Sequence, residues 1–310
     1  MVEDRSTDGT AGILARLHAE DPRLTVVRGV EPPAGWLGKP HALFQGADRA
    51  RGDLLLFADA DVIYAPDAVS RAVALLDARG LDLLAFFPRL EMRGFWENVL
   101  MPYIPISYFF GPAFLINSDW QRRFAAGGGA GILVRRAAYR AAGGHEALRG
   151  SVIDDIHLAI RVRRAGGRCR MVLADDQVRL RMYRGFREIF DGFTKNIAYA
   201  FEGWLGAFLA LSTAFTFVAS TVPVLALLAS LARIPLPGRD VAWAAVAVAA
   251  AVLARGGLAL LLGYPMWASV TQPLTAVVWA TMMARSFVWR FLRREVRWRG
   301  RRYHASRAGF

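Results

Sequence analysis

The sequence predicts an α/β fold with a mainly parallel sheet and helices on both faces, followed by membrane-spanning helices. Two patterns carry that expectation. Over residues 1–200, short apolar runs alternate with amphipathic stretches, the rhythm of strands joined by helical crossovers. Beyond residue 200 the character changes. Residues 205–232 carry no charge for 28 positions, 241–254 for 14, and 256–284 for 29. A crossing needs about 20 apolar residues. Buried core helices explain one such run, but not three in succession.

Taken in order, LTVV (24–27), DLLLFA (53–58), LDLLAFF (81–87) and AGILV (130–134) read as buried strands. The stretches 11–20, 40–51 and 66–79 read as helices, the last with Pro66 at its start and Gly80 after its last periodic residue. Ligands in such sheets sit at the carboxyl ends of strands, so the residues just after each apolar run matter most. The stretch VLMPYIPISYFFGPAFLINS (99–118) has no charge but contains Pro102, Pro105, Gly111 and Pro112. Its breakers and aromatic rings fit a segment lying in a membrane interface, over 95–118, or a buried loop-helix.

Charge is unevenly placed. The chain is +13 overall, and residues 285–310 hold nine Arg against one Glu, contributing 9 − 1 = +8. Directly after an apolar run, such a tail suits anionic lipid on the cytoplasmic side rather than nucleic acid. The one cysteine, Cys169, excludes an intramolecular disulfide and a cysteine metal cluster. Nothing resembles a cleavable signal peptide.

Chemistry concentrates in carboxylates. Asp59 and Asp61 follow a buried strand in DLLLFADADVIY, and in an extended chain positions i and i+2 project to one side. Two carboxylates so placed call for a hard cation, Mg²⁺ or Mn²⁺, which is held by one or two carboxylates together with substrate phosphates. The pair therefore implies a diphosphate. Asp154 and Asp155 fall at a helix start; capping explains one of them, and a carboxylate beside a diphosphate can serve as general base. Lys39, one of two lysines, lies in a Gly-flanked turn and suits a phosphate as a point charge. GGGAG (127–131) allows a backbone to approach a ligand closely, or is a plain turn.

The ordered series EDRSTDGT, GKPHAL, FADADV, a glycine turn before LVRR, GGH, IDDIHLA and a basic aromatic helix before apolar spans resembles the membrane-bound family 2 glycosyltransferases. Within them it looks closest to the hopene-associated and carotenoid-type lipid enzymes, whose tail motif is similar to WRGRRY here. The resemblance runs from Val2 to Tyr303. It implies a GT-A fold and inverting transfer from a nucleotide-diphospho-sugar, a UDP-hexose, to a lipid acceptor. By position, Asp4 would contact the nucleobase and Lys39 the donor, Asp59 and Asp61 would hold the metal-diphosphate, and Asp155 would be the base with Asp154 in support. Gly129, His145, Arg184 and Arg187 would fall at the acceptor or its loops.

The chain also departs from that family. Its Q-x-x-R-W motif is reduced to RMYR or RGFR within 181–196, without Trp, which favours a single transfer over polymer synthesis. The family's initial membrane span and first strand have no counterpart before MVEDRSTDGT, so a truncated catalytic domain is expected over 1–200. Apolar runs at 205–232, 241–263 and 265–289 would form the membrane region, with a basic tail over 290–310. Nucleotide-sugars are cytoplasmic, so the expected setting is a multi-pass inner-membrane protein with its catalytic domain inside. Rival readings are a processive polysaccharide synthase, a nucleotidyltransferase, and an inactive membrane scaffold.

Overall fold

The computed structural model describes residues 1–105, 113–200, 203–232, 234–235, 237–289, 295–298 and 301–304. In chain order the elements are β1 (Val2–Glu3), α1 (Thr10–Glu20), β2 (Val27–Arg28), α2 (Gly38–Arg49), β3 (Leu54–Phe57), β4 (Val62–Tyr64), α3 (Ala68–Ala78), β5 (Leu83–Leu90) and α4 (Phe95–Leu100). Then come α5 (Ala113–Ile116), β6 (Ile132–Arg135), α6 (Arg136–Ala141), α7 (Asp154–Arg164), β7 (Cys169–Leu180) and α8 (Gly185–Ala200). The series ends with α9 (Gly203–Leu231), α10 (Gly238–Leu262), α11 (Gln272–Phe287), β8 (Glu295–Trp298) and β9 (Arg301–His304). Two compact units divide them: among the described residues, Met1–Arg89 with Leu115–Leu180, and Leu90–Phe114 with Arg181–Ala305.

The first unit is mixed α/β around a five-stranded sheet of order β3-β6-β5-β7-β4, with β1 and β2 forming a separate parallel pair. β5 lies in the middle, and Leu83 to Phe87 are all buried, as a strand covered on both faces requires. The expectation of a mainly parallel sheet is corrected here. The β3–β6, β5–β6 and β4–β7 pairings are antiparallel, so β3 and β5 share a direction and β6 runs against both. Alternating apolar runs fix which segments are buried, not the sense in which each is threaded. β6 is reached after a long excursion from β5 and can enter the sheet from either end.

The helices follow local rules. α3 ends where Gly80, at φ 55°, turns left-handed; Leu81 N–H then bonds Leu76 O at 2.8 Å and Gly80 N–H bonds Asp77 O at 3.0 Å, a Schellman closure. α7 carries Asp154 and Asp155 in its first turn and Arg161, Arg163 and Arg164 in its last, the arrangement that the helix dipole favours. Arg163 is buried and donates to the carbonyls of Ile116 (3.0 Å), Ser118 (2.8 Å) and Cys169 (2.7 Å). It thereby holds the start of β7 to the segment after α5. The long strand β7 is illegible in the sequence because the polar run Asp175-Asp176-Gln177 breaks its apolar character.

Among its described residues the second unit is helical apart from the end of β5 and the antiparallel β8–β9 pair. Its core joins Val99 and Leu100 of α4, Ile189 and Phe193 of α8, and Val278, Trp279 and Met282 of α11. Trp279 Nε1 donates to Leu100 O at 3.0 Å, and Arg181 closes on buried Glu97 at 2.9 and 3.1 Å. Arg255, buried within α10, is satisfied by the carbonyls of Asn98 and Val99 and by the side chains of Gln272 and Thr275.

Among the described residues, two helices are long and apolar enough to cross a membrane, in the windows Ala214–Leu231 and Asp240–Leu262, with mean hydropathy 2.0 and 2.2. Phe215, Val218, Val222, Leu225 and Leu228 of the first are each more than half exposed. The second runs unbroken through Arg255-Gly256-Gly257. The third apolar run divides into a 3-10 turn over Met266–Thr271 and α11, which has 16 residues. Of the stretch read as interfacial, Val99 to Tyr103 are buried; residues 106–112 lie outside the described residues, as does most of the basic tail.

Candidate functional site

The first unit carries a cleft of about 270 Å³ whose lining includes Lys39, Asp59, Gly128, Gly129, His145, Asp154 and Asp155. Different stretches supply these residues, and each is placed by its own backbone contacts. Lys39 stands in the first turn of α2, behind Leu37, whose N–H bonds Arg149 O at 2.7 Å. That bond pins the lysine turn beside the loop leading to α7. Asp59 lies just past the end of β3, and its N–H bonds Gly129 O at 2.9 Å. Asp154 and Asp155 open α7.

The glycine turn is needed where the cleft is tightest. A Cβ on Gly129 would overlap the Asp59 carboxylate, and one on Gly127 would overlap the carbonyl of Asp155. Tyr64 OH donates to Ala130 O at 2.6 Å and fixes the turn against β4. Burial, then the charge of Asp59, pushes the Tyr64 hydroxyl up to about 12, so it remains a donor.

Electrostatically the cleft is one cation among three carboxylates. Lys39 Nζ lies 2.8 Å from Asp59 Oδ1 and 4.0 Å from Asp154 Oδ1. Burial disfavours the lysine's charge, but Asp154, Asp155 and Asp59 outweigh it and hold the ammonium above its ordinary range. Both Asp154 and Asp155 are raised, first by burial and then by neighbouring carboxylates, with Lys39 opposing. If all are ionised the group carries −3 + 1 = −2, a charge that invites a cation or a proton. Asp155 Oδ1 also accepts Ile156 N–H at 2.8 Å.

His145 lines the same cleft, buried, with Nε2 4.0 Å from Asp154 Oδ2. Burial, then Lys39, lowers it to about 4, so the imidazole is neutral. Tyr139, whose hydroxyl lies 3.0 Å from His145 Nδ1, is a residue that sequence reasoning missed, since a tyrosine on a short helix carries no motif.

The other sequence-derived residues are not in the lining. Asp61 is exposed. β3 ends at Phe57 and Ala60-Asp61 form a turn, so strand alternation does not set where the second carboxylate points. Asp4 follows β1, contacts Arg5 at 3.3 Å, and lies beside the start of α2: a Cβ on Gly38 would stand 3.6 Å from its Oδ2. Arg184 and Arg187, both exposed, belong to the second unit. Among the described residues, no three His, Cys, Asp or Glu side chains converge as a metal-ligand set. The acidic cleft fits a divalent ion only as a partial donor set, completed by ligand oxygens.

The family model described as glycosyl transferase family 21 matches residues 3–309. The curated relatives include the 4,4'-diaponeurosporenoate glycosyltransferases of Staphylococcus aureus strains USA300 and NCTC 8325, each 28% identical over 207 residues, covering 64% of this chain and 52% of the relative. The chain thus spans about half the length of the curated relatives it matches. Among solved structures, the mannosyltransferase PcManGT from Pyrobaculum calidifontis, in complex with GDP-Man and Mn²⁺, is 18% identical with a TM-score of 0.47, covering 88% of this chain and 76% of that one. Glucosyl-3-phosphoglycerate synthase from Mycobacterium tuberculosis, in complex with Mn²⁺ and UDP-glucose, is 18% identical with a TM-score of 0.37, covering 64% and 65%.

Proposed function

The chain belongs to glycosyl transferase family 21, and from that membership we propose that it transfers a sugar from a nucleotide-diphospho-sugar, a UDP-hexose, to a lipid-like acceptor with inversion at the anomeric carbon. One observation supports this above the others: Lys39, Asp59, Asp154 and Asp155 meet in a single cleft over a glycine turn. Lys39 neutralises the departing diphosphate, and Asp155 takes the proton from the acceptor hydroxyl as it attacks in line. Asp154 holds Lys39 from the other side. Asp4, which follows β1 and lies beside the start of α2, would meet the nucleobase.

The acceptor group is read as a hydroxyl because a base at Asp155 has work to do only where the nucleophile carries a proton. The relatives are named for a carboxylate, which is already ionised at neutral pH and would attack without a base. Mg²⁺ or Mn²⁺ would be held by Asp59, with Asp61 on the following turn, and by substrate phosphates. When bound, the ion supplies charge neutralisation of the diphosphate. The apolar windows of α9 and α10 support membrane association, which we extend to a multi-pass protein of the inner membrane with its catalytic unit in the cytoplasm, in contact with membrane lipid.

Gly129→Ala tests how closely the turn supports Asp59. The added methyl forces the carboxylate away from Lys39, and a misplacement of about 1 Å costs about 100-fold in rate. A steady-state assay in which the Ala variant keeps parental turnover would show that Asp59 need not be held there. The function itself is tested by thin-layer analysis of lipids from expressing membranes supplied with labelled UDP-glucose. A labelled lipid absent from the Asp155→Asn control supports the reading; label recovered only in polymer or only in free nucleotide overturns it.

A further inference from the structure

We propose that His145 is a positioning residue: Tyr139 holds its imidazole with the proton on Nε2, and that N–H faces Asp154 and steadies the carboxylate beside Lys39. This rests on the transferase reading only for the purpose of the Asp154 carboxylate, not for the geometry.

The geometry begins with the Gly143-Gly144-His145 turn. Both glycines are left-handed, at φ 83° and 53°, a conformation that side chains resist. The turn wraps the chain around the Tyr139 ring so closely that a Cβ on Gly144 would stand 2.8 Å from Tyr139 Cζ. One hydroxyl then meets His145 twice. Tyr139 OH accepts the backbone N–H of His145 at 3.0 Å and lies 3.0 Å from its Nδ1.

Those two contacts settle the tautomer. A buried hydroxyl hydrogen needs an acceptor, and Nδ1 is the acceptor within reach. If Nδ1 carried the ring proton, both groups would present a hydrogen to each other or the tyrosine hydrogen would be orphaned. The proton therefore sits on Nε2. Phe57, at the end of β3, stacks edge-on against the imidazole with centroids 4.7 Å apart, and the His145 side chain is 1% exposed. Ring rotation is blocked, and burial keeps the imidazole neutral.

On its other side the imidazole faces Asp154. Nε2 is 4.0 Å from Oδ2, while Oδ1 of the same carboxylate is 4.0 Å from Lys39 Nζ. These separations exceed a hydrogen bond and are of the kind that tighten when substrate closes a site. The carboxylate is bracketed between a neutral N–H donor and the ammonium. Its orientation then governs where Lys39 sits against Asp59. The preceding backbone also delivers His145 to the cleft as a finished unit, since Tyr139, the glycine turn and the imidazole are linked within seven residues.

Two measurements test the proposal, and the first is independent of activity. In full-length protein with ¹⁵N-labelled histidine, the His145 resonances, identified by their loss in His145→Gln, should report an Nε2-protonated neutral ring. Tyr139→Phe should abolish that preference. An Nδ1-protonated or charged ring near neutral pH overturns the proposal, whether or not the protein transfers sugar. The second is a double-mutant cycle on transfer, read as separate kcat and donor KM values. His145→Phe should raise donor KM by about tenfold, and His145→Gln, whose amide places an N–H near the Nε2 position, should recover most of that loss. His145→Phe in an Asp154→Asn background should add less than about twofold. Fully additive losses, with equal falls in thermal midpoint for Phe and Gln, would mean that His145 merely fills the core.

Discussion

Asp155→Asn is expected to lower turnover by about 1,000-fold, with donor affinity changed by less than about threefold. The amide has nearly the shape of the carboxylate, and its oxygen can still accept the Ile156 N–H that Asp155 Oδ1 accepts at 2.8 Å. The first turn of α7 is therefore preserved. Under the proposed mechanism, what the variant loses is the ability to take a proton from the acceptor hydroxyl. Titration of the variant with UDP-glucose, beside steady-state turnover, separates the two effects. Loss of binding in step with loss of turnover would reassign Asp155 to the donor site; parental turnover would remove it from the chemistry altogether.

Lys39→Met carries the second large effect, and it differs in kind. A charge-assisted hydrogen bond to phosphate contributes about 1.5–3 kcal/mol, so donor binding should weaken by about 10- to 150-fold. The substitution also leaves Asp59, Asp154 and Asp155 without the ammonium that faces them. The sign of the pH effect follows. Lys39 opposes the upward push that burial gives both α7 carboxylates, so its removal raises them further. The base must be unprotonated to act, and the acid limb of the kcat profile should therefore move to higher pH in the variant. A limb that stays in place, or moves to lower pH, would show that Lys39 is not coupled to the base.

Much of this was legible in the sequence, for identifiable reasons. The helices expected at 11–20, 40–51 and 66–79 correspond to α1, α2 and α3, because each has an apolar stripe bounded by Gly or Pro. The strand runs at 53–58, 81–87 and 130–134 correspond to β3, β5 and β6, because buried strands are continuous apolar segments. Strand direction was not legible: hydrophobicity marks a buried segment but says nothing of its sense, and β6 is antiparallel to both neighbours. β7 was hidden by Asp175 and Asp176, both exposed, which with Arg170, Gln177 and Arg179 break up its apolar character.

The candidate site divides in the same way. Lys39, Asp59, Gly129, His145, Asp154 and Asp155 come from segments far apart in sequence, and the fold gathers them into one cleft. Asp61 was placed by assuming an extended chain, whereas the backbone turns at Ala60. Tyr139 had no signal, since its importance depends on two left-handed glycines folding His145 back onto it. The glycines themselves were visible; what they brought together was not.

The proposed reaction is a single displacement at the anomeric carbon, with Asp155 activating a lipid hydroxyl while Lys39 receives the diphosphate. The configuration of the glycosidic bond in the product tests it most directly. Supplied with an α-linked UDP-hexose, the protein should give a lipid carrying only the β-linked sugar, as the proton coupling at the anomeric carbon would report. An α-linked product would contradict a single in-line attack and with it the assignment of Asp155.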